Sequence, residues 1–404
     1  MLKSVIEATM LDPGFCAGLV GVSPEQFNEW LAGKPVPRFA RPELAAILGV
    51  AEPQISNDAQ AAQLTDTASL LPAIWYKLRG DRLIPADREM VGLVRKLGGF
   101  MEQLAIITGT ASRAYAPVVA SSRADVPKNA PPASQGRQAA RAFRELTNIA
   151  HGQTAIGDLI RPVLRRLGLL VVESPIKSSN LEGLAFLVGP EGRQRPCIFI
   201  NSYQTTWFRR NALLLHELAH VIFDVFEDQV AVDYKESNDR ESFEEQRADV
   251  FAQECLVPKP FLLHLTNLLG VDWHKLTEEG LARVVASSHV EKRLVIKAAI
   301  EAGLITADES TTYSAYDIGD LLRSHSDHAL STREYLRKMN IDSPVWRAEN
   351  RKTDGIRRMR LPAGYVDLVL KAAKADSISE NKAAEMLMIE PRTYRKRYGG
   401  RTLV

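Results

Sequence analysis

A chain of 404 residues with 45% hydrophobic and 25% charged content is too apolar for a disordered polymer and long enough for two to four folded domains. No run approaches the roughly eighteen apolar residues of a membrane helix, no charged and apolar leader opens the chain, and three scattered cysteines exclude a disulfide scaffold. The expectation is a cytoplasmic protein with no membrane partner. A formal charge of +2 neither requires nor excludes nucleic acid, so the distribution of charge along the chain matters more than its sum.

The first fifty residues predict short helices with tight turns. Gly21 closes one helix, Ser23 and Pro24 open the next as N-cap and first residue, and Gly33 with Pro35 ends it. The apolar order Leu19, Val22, Phe27, Trp30, Leu31, Leu44, Ile47 and Leu48 resembles a lambda-repressor-like, or Xre-type, helix-turn-helix domain over residues 1–55. That resemblance implies a second helix that reads DNA. Gln26 and Asn28 on it suit an adenine edge, and Lys34, Arg38 and Arg41 suit the phosphate backbone, but Glu25 and Glu29 repel phosphate. A module for protein contacts, including a homodimer, is the equal alternative.

Residues 56–116 form a helical connector, with Trp75, Tyr76, Leu78, Val91, Leu93, Val94, Leu97 and Phe100 as its packing positions. Between 117 and 135 the composition turns to Ala, Ser, Pro and Asn, as a linker would. A domain over 136–309 begins beyond it with a helix and three short strands, LLVVES, GLAFLVG and PCIFINS. Where such a sheet borders a cleft, its exposed edge can take an extended peptide by strand addition.

The strands lead into NALLLHELAHVIFD, residues 211–224, an unbroken apolar helix carrying His216, Glu217 and His220 in the order H-E-x-x-H. Residues four apart share a helical face, so both imidazoles can reach one tetrahedral zinc while Glu217 lies beside it as general base. Buried polar groups need partners, at about 1 to 3 kcal/mol for each one left unpaired. A third ligand is therefore expected downstream. FEEQRADVFAQECLVP, residues 243–258, supplies Glu245 as that ligand and Asp249, one turn on, as the acceptor of a histidine's outer N–H. Phe223 and Phe226 stand where a metzincin would have its glycine and third histidine, and no C-x-x-C offers a zinc finger. The intervening residues 226–242 are polar and loop-like.

HELAHVIF followed by EQRADVFAQECLVP resembles the ImmA/IrrE metallopeptidase family. The resemblance implies a reduced zincin fold with one zinc per chain. It also implies a protein substrate, usually a helix-turn-helix repressor that is cleaved to release a stress, mobile-element or defence operon. Tyr234 and His264 are both candidate oxyanion donors, and the sequence selects neither. A DNA-binding regulator or toxin–antitoxin component that uses the peptidase fold as a sensor or docking domain is the alternative.

Residues 310–404 hold eighteen Lys and Arg against twelve Asp and Glu, which makes this end basic. The dense patches are RAENRKTDGIRRMR (347–360) and RTYRKRYGGR (392–401). Ser379 caps one short helix there and a second begins near Pro391, carrying Arg392, Arg395, Lys396 and Arg397 as candidate nucleic-acid contacts. The expected fold class is mainly α with a small β-sheet (α+β). A zincin-like core would be flanked by an N-terminal helix-turn-helix and a C-terminal helical domain.

Overall fold

The computed structural model describes residues 2–50, 52–55, 84–109, 115–177, 179–188, 195–203, 205–228, 230–234, 242–326 and 361–398. The chain is an α+β fold in which helices cover both faces of one four-stranded sheet. Trp75, Tyr76, Leu78 and the basic stretch 347–360 lie outside the described residues.

Helices α1 (Leu2–Thr9), α2 (Pro13–Val20), α3 (Pro24–Leu31) and α4 (Arg41–Leu48) make up the N-terminal module. Gly21 ends α2 at φ 77°, a conformation that favours glycine, and the Ser23 hydroxyl accepts from the Gln26 amide at 3.2 Å to start α3. The long helix α5 (Pro85–Thr108) packs beneath this module and against the sheet. Gly98 makes that approach possible, because a Cβ there would overlap the side chain of Val188.

Helices α6 (Tyr115–Ala124), α7 (Pro132–Leu146) and α8 (Ile160–Arg166) precede the strands. The expected linker at 117–135 is therefore helical over most of its length. Its alanine is a strong helix former, and its small residues allow close packing. Three carbonyls of the turn between α6 and α7 (Pro127, Lys128 and Ala130) accept from the Gln135 amide.

Strands β1 (Leu170–Ser174), β2 (Leu181–Val188) and β3 (Arg195–Asn201) fall on the three expected runs. A fourth, β4 (Val230–Tyr234), lies inside the segment expected to be a loop, where the alternation V-A-V-D-Y is short and flanked by charge. The strand order is β1-β3-β2-β4, parallel between β1 and β3 and antiparallel elsewhere. Strand alternation sends Leu170, Val172, Leu184, Phe186, Val188, Cys197 and Phe199 into a core shared with α1 to α5. It sends Ala185, Leu187, Ile198 and Ile200 into a second core.

That second core belongs to α9 (Trp207–Phe223), α10 (Phe243–Leu256), α11 (Lys259–Leu269), α12 (Glu278–Ser288), α13 (Lys292–Glu301), α14 (Ala307–Ala315) and α15 (Gly319–His325). Residues 307–325 pack here, with Tyr313 donating to the Trp273 carbonyl at 2.9 Å, rather than with the chain's final helices. Those helices, α16 (Ala363–Lys374), α17 (Glu380–Met386) and α18 (Pro391–Tyr398), join the N-terminal module's core instead.

Candidate metal centre

Helix α9 starts where the Thr206 hydroxyl accepts from the Arg209 amide at 3.0 Å, and nearly all of its seventeen residues are buried. His216 and His220 follow one another along one face, with Nε2 atoms 3.1 Å apart. Helix α10 starts in the same manner, with the Ser242 hydroxyl accepting from the Glu245 amide at 3.2 Å. This cap fixes Glu245 in the first turn. Its carboxylate lies 3.1 Å from His216 Nε2 and 3.4 Å from His220 Nε2.

These three residues form a group able to hold a metal ion. A tetrahedral centre with bonds of about 2.0 to 2.1 Å has edges of about 3.3 to 3.4 Å between ligand atoms, close to the separations found. The outer nitrogens agree. His216 Nδ1 meets Asp249 Oδ1 at 3.1 Å, and His220 Nδ1 meets Asp224 Oδ2 at 2.8 Å. A carboxylate can only accept, so each Nδ1 carries a proton and each Nε2 is turned inward beside the Glu245 carboxylate, where it offers a lone pair once any second proton has left. Such a convergence of lone pairs and negative charge suits a cation.

The electrostatics point the same way. Burial alone would lower the His220 pKa, but hydrogen bonds to Asp224 and then Glu245 outweigh it and lift the ring to about 9. Burial likewise opposes ionisation of Glu245, yet hydrogen bonds from His216 and His220 hold it well below the usual carboxylate range. Asp249 is lowered too, where the His216 hydrogen bond overcomes the cost of burial. A metal ion taken up at neutral pH would displace the proton that this field keeps on His220.

Asp224 is a site residue that the sequence reading missed, although it stands four residues after His220 on the same face. Its other oxygen pairs with Arg247. The Arg247 guanidinium lies 4.2 Å from the Phe223 ring and 5.4 Å from the Phe243 ring, and donates to Gln135 Oε1 at 3.2 Å. Helix α7 can lie this close to α10 because Gly136 has no Cβ to strike the Arg247 carbonyl. His220 is thus oriented through Asp224 and Arg247 by the helix whose start had been read as linker.

Glu217 is fully buried between α9 and β2. A Cβ at Gly183 would overlap its carboxylate, so β2 passes directly over the carboxyl group. Gly183 shares the face of Ala185 and Leu187, which alternation turns toward α9, and the β2–β4 register shifts just before it, between Leu181 and Gly183. Glu182, the neighbouring residue of β2, holds Arg209 of α9 through contacts of 2.8 and 2.9 Å.

The other predicted residues lie elsewhere. Gln26 and Asn28 are exposed on α3, and Arg38 is exposed beyond it. Lys34 is also exposed, and its ammonium pairs with Glu29 at 2.7 Å. Arg392, Arg395 and Lys396 are exposed on α18, while Arg397 is half-buried. His264 is exposed on α11, and Tyr234 ends β4.

No helix among the described residues is long and apolar enough to cross a membrane. No curated protein matches the chain. Residues 164–288 match the model of the IrrE N-terminal-like domain, Peptidase_M78, a stretch that runs from α8 through the sheet to the end of α12, takes in Glu217 and the three candidate ligands, and supports a metallopeptidase-type function for this unit.

Proposed function

We propose that the chain is a zinc-dependent, site-specific endopeptidase whose substrate is a regulatory protein, a helix-turn-helix repressor being the class that the family resemblance favours. The observation that carries the chemistry is the meeting of His216, His220 and Glu245 at tetrahedral spacing, with Glu217 buried beside them. Zinc on these ligands would act as a Lewis acid on the scissile carbonyl and lower the pKa of a bound water toward about 7. Asp224 and Asp249 keep both imidazoles in the ligating tautomer. Glu217 takes the proton of the attacking water and delivers it to the leaving amine. Strand β4, the edge next to β2, is the place where an extended peptide would add to the sheet.

The test is Glu217→Gln. It leaves the three ligands intact and removes the base, so zinc content should stay near one per chain while cleavage falls by about 10² to 10⁴. Co-expressed with the cognate repressor, the wild type should yield a discrete fragment and the variant should leave the repressor whole. Relief of repression by both proteins, with the repressor uncut in both, would show that the chain works by binding.

A second reading, binding to DNA or to an acidic partner, is favoured by one observation, the exposure of Arg392, Arg395 and Lys396 along one helix.

A further inference from the structure

A cleft of about 120 Å³ opens beside His216 and Glu245, between α9, α10 and α13. It is well below the roughly 300 Å³ at which pockets for whole ligands begin, so it suits a single side chain. Its apolar wall comes from Ala212, Leu213 and Leu294. The polar wall is cationic, with Arg209 from α9 and Arg293 and Lys297 from α13.

The charges in this cleft are not equally committed. Arg209 is held by Glu182 and also lies 3.8 Å from Glu291. Glu245 faces the two imidazoles, and Asp249 is engaged by His216. Arg293 and Lys297 differ from these. They are exposed, they stand four apart on one face of α13, and among the described residues neither closes an ion pair. Lys297 acts on Asp249, and Arg293 on Glu291, only through the longer-range field. Two like charges one helical turn apart repel each other, and their carboxylate neighbours are already occupied. An anion entering the cleft would satisfy both.

We propose that this cleft is a specificity subsite that takes an Asp or Glu side chain of the peptide being cut, held by Arg293 and Lys297 next to the scissile bond. That the bound peptide is cut rests on the endopeptidase reading, but the recognition itself needs no turnover. A guanidinium and an ammonium can share one carboxylate, the guanidinium through paired N–H groups and the ammonium as a compact point charge. The apolar wall would cover the side chain's methylene groups and exclude lysine or arginine by like charge.

The experiment uses zinc-loaded, full-length Glu217→Gln protein and a library of random decapeptides, with the retained peptides sequenced by mass spectrometry. Acidic residues should be enriched at least about fivefold at one position, the scale of one or two partly exposed ion pairs. Adding Arg293→Glu and Lys297→Glu should reverse that preference toward Lys and Arg, with zinc content and melting temperature unchanged. If the reversed protein does not fold, Arg293→Gln with Lys297→Gln should abolish the enrichment. Absence of acidic enrichment, enrichment that survives the charge reversal, or no retention of any peptide would each overturn the subsite. Acidic enrichment without cleavage by the wild type would sink the endopeptidase reading and leave the subsite standing, whereas cleavage with no acidic preference would do the reverse.

Discussion

At residue 183 a single hydrogen atom stands where any other side chain would strike the Glu217 carboxylate. Gly183→Ala should therefore spare the three candidate ligands and move the base. Overpacking of this kind costs about 1 to 3 kcal/mol, and a displacement of about 1 Å in a catalytic group can cost about a hundredfold in rate. The expected variant is folded, retains its metal by elemental analysis and cleaves at least about a hundredfold more slowly. Full activity in Gly183→Ala would mean that the close passage of β2 is not what sets the position of Glu217. This residue shows the limit of reading the site from sequence. H-E-x-x-H and the Glu245/Asp249 pair are periodic along helices, so their chemistry was legible. Gly183 matters through a contact between segments thirty-four residues apart, which no local pattern encodes. Asp224 was within reach of the same helical rule and was obscured by the polar segment that follows it. Arg247 depends on a helix–helix contact with α7.

Helices and strands were legible where caps and apolar runs agreed, and not where composition alone was the guide. Ser23 and Ser379 both cap helices as their sequence context implied. The Ala- and Pro-rich start of α7 resembles a linker because its small residues carry little hydrophobic signal, and it is Gly136, directly after it, that lets the helix lie against α10. Of the two short helix pairs, α2–α3 and α17–α18, the second has the more cationic exposed face. α3 exposes Glu25 and Glu29 beside Gln26 and Asn28, whereas α18 exposes Arg392, Arg395 and Lys396 with no acidic neighbour on the helix. If α18 holds phosphate, Arg395→Ala with Lys396→Ala should reduce the slope of log affinity against log salt by about two in a gel-shift titration. Gln26→Ala with Asn28→Ala should leave that slope unchanged. An unaltered slope in the first variant, or no shift with the wild type, would remove α18 from DNA binding.

Across the whole molecule the chain's two ends are brought together on the sheet face opposite the candidate metal centre, where α16 to α18 share one core with α1 to α5. Sequence reading treated the ends as separate domains because nothing local announces a contact between residues more than three hundred positions apart. A buried charge cluster joins them. Lys96 of α5 pairs with Glu43 of α4 at 3.2 Å and donates to the Leu19 carbonyl, and the Phe100 ring lies 5.2 Å from both Lys96 and Lys382. Glu43 also shares a hydrogen bond with Glu385 of α17. Two carboxyl groups can share that bond only if one keeps its proton. Burial first, and then the Glu385 hydrogen bond, push Glu43 up to about 7, while Glu385 is lowered as its partner. A carboxyl group whose folded pKa lies above its unfolded value of about 4.5 stabilises most at pH below 4.5, and that contribution is lost as pH rises through about 7. Wild-type protein should therefore lose stability between about pH 4.5 and 7 relative to Glu43→Gln, whose amide donates to Glu385 at every pH. The difference should level off at about 1 to 3 kcal/mol in favour of the variant above about pH 7 and vanish below about pH 4.5. Urea titrations of the two proteins at four pH values measure it directly, since every other titrating group is common to both. Parallel pH profiles would show that Glu43 does not hold the shared proton and that the junction between the chain's ends is insensitive to pH.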